Sequence, residues 1–198
     1  MSTLRKLMVV AGALLMATQI IGCTNRQFIA AGAYMPFAGP EPLTLNEPYM
    51  LDSGDRLRIV VFGQSTLSRV YSVDGGGHIS MPLIGPVQAR GLTTFDLEHA
   101  ISERLRDGYL RDPKISVEIQ TYRPFFILGE VTRAGQYSFV NAMTVQTAVA
   151  IAGGFSARAH QGGAIITRQR NGQAMQMAVP MTQTVKPGDT IYVRERLF

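Results

Sequence analysis

Side chains able to do chemistry are sparse in this sequence, and their spacing decides which chemistries stay open. The three histidines, His78, His99 and His160, stand apart, with no HxxxH or HxxE spacing to bring two ligands onto one metal. One cysteine, Cys23, cannot form an internal disulfide and cannot build a thiolate zinc site, which needs two or more. Asp74-Gly75-Gly76-Gly77 lacks the further acids of a calcium loop and reads as a hairpin turn. Gly153-Gly154 is followed by Phe155 where a phosphate cradle needs Lys and Ser or Thr, and Gly75-Gly76-Gly77 does not match a dinucleotide fingerprint. There is no GxSxG nucleophile elbow. Asp52 and Asp55 form a carboxylate pair, but flanking Gly54 at a strand entrance they read as turn residues. The expectation is a protein with no catalytic residue, no metal and no cofactor. An enzyme remains open only if its site is scattered over residues that form no local motif.

The amino-terminal residues carry a different chemistry. Arg5 and Lys6 precede an unbroken small and apolar run from Leu7 to Ala17, and the greasy stretch reaches Ile21. A membrane-spanning helix needs about 20 such residues, so this segment reads as an export signal, residues 1–22. Ile20-Ile21-Gly22-Cys23 resembles the lipobox of bacterial lipoproteins, and the one thiol of the chain stands where that chemistry needs it. The resemblance implies thioether attachment of a diacylglycerol to Cys23, cleavage before it and acylation of the new amine. A single acyl chain anchors only marginally, at about 0.8 kcal/mol per buried methylene, whereas two or more hold stably. Thr24 stands where Asp marks inner-membrane retention in such signals, so the anchor is expected at the outer membrane.

The elements that must position any site follow from composition. Of 198 residues, 46% are hydrophobic and 17% charged, which is enough apolar surface for one medium or two small cores. Twenty Gly and 10 Pro imply many turns and favour short strands over long helices. The net charge of +5 shrinks to +3 from residue 23 onward, 17 basic against 14 acidic, and the basic residues are interleaved with acids. A nucleic-acid partner needs a clustered basic stripe, so none is expected.

Residues 23–48 carry Pro36, Pro40, Pro42 and Pro48 with no hydrophobic period, and read as a lipidated, proline-rich tether. From residue 49 strands dominate. Leu57, Ile59 and Val61 alternate after the turn Asp52-Ser53-Gly54-Asp55, and Ile79, Met81 and Leu83 after Asp74-Gly75-Gly76-Gly77. Ile115, Val117 and Ile119 alternate in the same way. A helix between the last two is signalled by Thr93 as N-cap with Asp96 three residues on, and Leu92 stapling Leu97. Leu97, Ile101 and Leu105 form its stripe and Gly108 its stop. A four-strand sheet with one covering helix is expected over residues 49–121.

A second unit, 122–198, follows. Phe125–Val131 and Gln136–Val140 read as strands, and Thr144 caps a helix with Val145, Ala148, Val149 and Ala152 on one face, stopped by Gly153-Gly154. Ala164–Arg170 and Gln173–Val179 form a hairpin across Asn171-Gly172, and Thr190–Glu195 is the last strand. The order is β-grasp-like and the fold class α+β. Gly188-Asp189-Thr190-Ile191-Tyr192-Val193 echoes Gly54-Asp55-Arg56-Leu57-Arg58-Ile59, one turn-into-strand device used twice.

Tyr122 to Val131, Gln136-Tyr137, Thr144-Val145, Ala152-Gly153-Gly154-Phe155 and Arg158-Ala159 together resemble bacterial polysaccharide export outer-membrane lipoproteins. Upstream, Tyr49-Met50-Leu51, Gly54 to Ile59, Ile79 to Gly85 and Gly91-Leu92-Thr93 resemble the opening of their export domain. At the end of the chain, Pro187-Gly188-Asp189 and Val193 to Arg196 also fit the family. The usual Pro before Gly135 is here Ala134, which loosens a turn. The resemblance implies a polysaccharide export domain followed by a soluble-ligand-binding β-grasp domain. It also implies a homo-oligomeric ring lining a periplasmic conduit for capsular or extracellular polysaccharide, lipid-anchored at the outer membrane. The partner it implies is an inner-membrane polysaccharide co-polymerase, often a tyrosine autokinase. Longer members add further such units and a membrane-spanning C-terminal helix, whereas this sequence ends at Phe198. The ring is therefore expected beneath the bilayer, with either another protein or an unrecognised segment opening it. A carbohydrate-binding or docking lipoprotein that forms no ring is the alternative reading.

Overall fold

The structure, a computed structural model, describes residues 48–196 apart from Asn171, with Arg170 described by its backbone alone. The export signal, Cys23 and all but the last residue of the tether lie outside the described residues. Two hydrophobic cores organise what is described.

The first core is built on strands β1 (Arg56–Val61), β2 (Arg69–Ser72) and β5 (Ile115–Thr121), an antiparallel sheet in the order β2-β1-β5. Leu57, Ile59 and Val61 point inward, with Leu57 opposite Tyr71 and Ile59 opposite Val117. The expected four-strand sheet is a correction. Strands β3 (His78–Met81) and β4 (Gly85–Gln88) form a separate two-stranded ribbon. Ile79 and Met81 are buried, but Leu83 is 57% exposed at φ 74°. Pro82 has no N–H to give a ladder, so the alternation stops there and the chain turns.

Helix α1 (Thr94–Arg106) forms for the reasons its sequence carries. The Thr93 hydroxyl accepts the Asp96 N–H at 3.1 Å and the Asp96 carboxylate accepts the Thr93 N–H at 3.3 Å, a reciprocal capping box. Leu97, Ile101 and Leu105 are fully buried, and Leu92 packs against the same core. Gly108 at φ 91° ends the helix, and the Tyr109 and Leu110 N–H groups donate to the Leu105 carbonyl.

The second core sits against a five-stranded sheet of β6 (Phe125–Gly129), β7 (Gly135–Tyr137), β8 (Ala164–Arg170), β9 (Gln173–Val179) and β10 (Thr190–Val193), ordered β7-β6-β10-β8-β9. Central strands β6 and β10 run parallel, and every other pairing is antiparallel. The order of strand pair, helix, hairpin and closing strand is that of a β-grasp, and the whole is α+β. Three expected strands are shorter than their apolar runs. Gly129, at φ 86° against the Val193 carbonyl, ends β6 and leaves Val131 to a single bridge with Phe155. Strand β7 stops at Tyr137, and β10 at Val193, with Glu195 in a single bridge to Ala159. Helix α2 (Val145–Ile151) is capped by the Thr144 hydroxyl and buries Val145, Ala148 and Val149.

Candidate functional site

Two features stand out of this frame, a buried polar junction and an open sheet face. The junction begins with the turn-into-strand device. In both copies a left-handed glycine, Gly54 at φ 92° and Gly188 at φ 83°, turns the chain so that the next aspartate is carried inward. Asp55 is fully buried and Asp189 1% exposed. Each accepts the backbone N–H three residues back, from Asp52 at 2.9 Å and Lys186 at 2.8 Å. Each also meets an arginine. Asp189 takes two bonds from Arg168, at 2.8 and 2.7 Å, a fork geometry that holds both oxygens.

Arg123 serves Asp55, and it also reaches the other copy of the device. Its backbone N–H donates to Asp55 Oδ1 at 2.9 Å and its guanidinium lies 3.5 Å from Asp55 Oδ2 and 3.6 Å from Asp52 Oδ2. Its Nε donates to the Pro187 carbonyl at 3.1 Å, beside Gly188. A Cβ on Gly188 would stand 2.6 Å from that Nε, so the turn needs glycine both for its φ and for the arginine's passage. Tyr49 completes the cluster. Its hydroxyl donates to Asp55 at 2.8 Å and accepts from Arg123 at 3.1 Å. Burial, and then the Asp55 carboxylate, push the Tyr49 phenol well above its ordinary value, with Arg123 opposing. The Tyr49 ring meets Tyr122 edge-on at 5.0 Å, and Tyr122 meets Phe139 at 5.5 Å. Asp52 further pairs with Arg90 at 2.9 Å. These groups hold residues of both cores to one another.

The open face of the five-stranded sheet is the second feature. Phe125, Ile127, Ile191 and Val193 point into the core, so Phe126, Leu128 and Tyr192 point out, each at least 40% exposed. Leu128 lies directly beside Tyr192 across the parallel pair, which makes an apolar strip on the surface.

The histidines are not brought together. His78 opens β3, His99 packs edge-on against Phe95 at 4.5 Å, and the His160 N–H bonds the Arg194 carbonyl. Among the described residues no three His, Cys, Asp or Glu side chains are grouped to hold a metal. Nor is any helix among them long and apolar enough to cross a membrane. A shallow groove of about 210 Å³ is lined by Glu98, His99, Ser102, Pro113, Lys114 and Ile115. Its one carboxylate already accepts the Val117 N–H at 2.7 Å. The carboxylates Asp52 and Asp55, read from sequence as turn residues, are that and also the acceptors of the junction. Arg123 and Tyr49 were not singled out as its donors, although the Gly-Asp echo marked both turns that Arg123 joins.

The arrangement is that of a two-core α+β protein whose buried charges join elements to one another. Residues 44–120 match the model of the family described as polysaccharide biosynthesis/export protein, and residues 124–178 match the SLBB domain. Over 149 residues, 69% of its length, the chain is 31% identical to the exopolysaccharide production protein ExoF of Rhizobium meliloti (strain 1021), and covers 35% of it. Over 111 residues, 55% of its length, it is 24% identical to the polysialic acid transport protein KpsD of Escherichia coli, covering 20% of that protein. The chain thus spans about a third of the length of the first relative and a fifth of the second. It belongs to the bacterial polysaccharide export protein family.

Proposed function

We propose that this chain is a non-enzymatic component of a capsular or extracellular polysaccharide export channel. It is acylated at Cys23, anchored at the periplasmic face of the outer membrane, and assembled as a homo-oligomeric ring around a conduit. In this reading residues 1–22 are the removed signal, 23–48 the lipidated tether, 49–121 the export domain and 122–198 the β-grasp domain. The inner-membrane partner is a polysaccharide co-polymerase or tyrosine autokinase. The observation that carries the reading is the succession of lipobox, export-domain match and SLBB match in one chain. ExoF by its name takes part in exopolysaccharide production and KpsD in polysialic acid transport, which favours the same polymer class here.

Physical chemistry supports the ring. Each unit is small, and domains of such size bury only about 60% of their unfolded-chain surface, so association adds stability that each lacks alone. Head-to-tail packing of identical copies closes into a ring when the rotation permits. The conduit wall is polar, because a hydrated sugar chain must slide along it.

Native mass measurement and electron microscopy of the detergent-extracted protein test this. A closed cyclic particle several times the monomer mass is expected. Monomers alone, over a range of mild detergents and concentrations, contradict the ring and favour the docking lipoprotein. Labelled palmitate should enter the wild-type chain, and Cys23→Ser should release it from membranes; a wild-type chain that takes up no label removes the anchor.

A further inference from the structure

The five-stranded sheet ends in two strands, β7 and β9, whose outer edges have no hydrogen-bond partner among the described residues. Unpaired strand edges are templates for another chain, and proteins usually blunt them with charge, proline, a bulge or short length. The first sheet does so. The Glu98 carboxylate takes the outward N–H of Val117 on edge strand β5, and β2 is four residues long and opens with Arg69. Strand β9 has none of these devices. Its sequence Gln-Ala-Met-Gln-Met-Ala-Val contains no charge and no proline, and it pairs with β8 over seven residues without a register break. Gln173 to Gln176 are exposed, Met175 at 45%. At the opposite edge β7 reads Gly-Gln-Tyr, also uncharged.

We infer that the β9 edge is a subunit contact, and that it takes β7 of a second copy of this chain, so that the sheet continues from one copy into the next. Three observations select that occupant. The two free edges belong to different strands of one sheet, so joining them is a heterologous contact of the kind that closes rings. Neither strand carries a charge that pairing would strip of water. The open faces also match. Gln136, Phe126, Thr190, Thr167 and Gln176 form one row across the sheet, so the neighbour's β9 would lie beside Gln136 and extend that row with the neutral side chains of Ala174, Gln176 and Ala178. The main-chain bonds supply the attraction and the alternating side chains set the register, as in other strand additions.

This inference rests on the ring reading above, and its test separates the two. The full lipidated chain is compared in detergent with the double variant Ala174→Lys, Gln176→Lys, which places two charges on the exposed side of the edge. The wild type should run at several times the monomer mass, and the double variant at the monomer mass with unchanged circular dichroism. In wild-type particles the outward-pointing amides within 173–179 that face the neighbour's three-residue β7, and those within 135–137, should exchange with deuterium at least tenfold more slowly than in diluted monomer. A folded double variant that keeps the wild-type mass overturns the edge contact and leaves the ring standing. Protection of 173–179 without 135–137 overturns the head-to-tail pairing. Wild-type monomers at every concentration overturn the ring and this contact with it. Should the double variant fail to fold, the exchange measurement on the wild type decides.

Discussion

Asp55 has both carboxylate oxygens engaged inside the protein, by Tyr49, by the Asp52 N–H and by Arg123. Removing one partner from a buried charged pair leaves the other uncompensated, which costs about 3–5 kcal/mol. Arg123 keeps 22% of its side chain exposed, so Asp55→Ala should fall near the lower end, about 3 kcal/mol. Tyr49→Phe, which removes one buried donor, should cost about 1–3 kcal/mol. Denaturant titration at pH 7 checks both, and a loss below about 1 kcal/mol for Asp55→Ala would show that water replaces the junction. The aspartate was legible because the Gly-Asp turn recurs at 188–189; its arginine was not, because 68 residues separate them and only the fold brings them together. Replacing His78, His99 or His160 by Gln should leave polysaccharide export at its wild-type level. A folded variant that abolishes export would restore a scattered enzyme site as the explanation.

Among the elements, helix α1 has the most local cause, and its cap should respond to pH. The Thr93 hydroxyl, and next the Thr93 N–H, hold the Asp96 carboxyl below its usual value of 3.8. A depressed folded value means the stabilisation is complete above the ordinary aspartate range and is lost as pH falls through the lower folded value. Acid should therefore fray the start of α1, and Asp96→Asn should remove that dependence; amide exchange at residues 94–98 against pH reads it. Thr93→Ala should cost about 1 kcal/mol near neutral pH. This helix was legible whole, from cap to Gly108 stop, because its signals lie within its own residues. The ribbon was not. Ile79, Met81 and Leu83 alternate as a strand does, but Pro82 and Gly85, at φ 69°, turn the chain between them. Nor does periodicity say which strands share a sheet, so β3 was merged with its neighbours, and β2 and β4, four residues each, were too short to show a period. The β8–β9 hairpin was legible to the residue because a two-residue loop fixes its register.

For the whole molecule, the reading is of a scaffold whose chemistry is association. Its buried charges join one core to the other, its open sheet face carries an apolar strip, and one long edge is left without a guard among the described residues. These features are the ground for the proposed association with further copies, and they agree with a polysaccharide export protein family. The domain order was legible through motifs spread from Tyr49 to Arg196, and the subunit contact was not, since an edge strand is known as an edge only once the sheet order is seen. The central claim is export, and the most direct measurement is where the polymer goes in cells that lack this protein. Surface polysaccharide should be lost while polymer is retained inside the envelope, with both restored by the wild-type chain. Normal surface polysaccharide in those cells, with no other copy of such a protein present, would contradict the account.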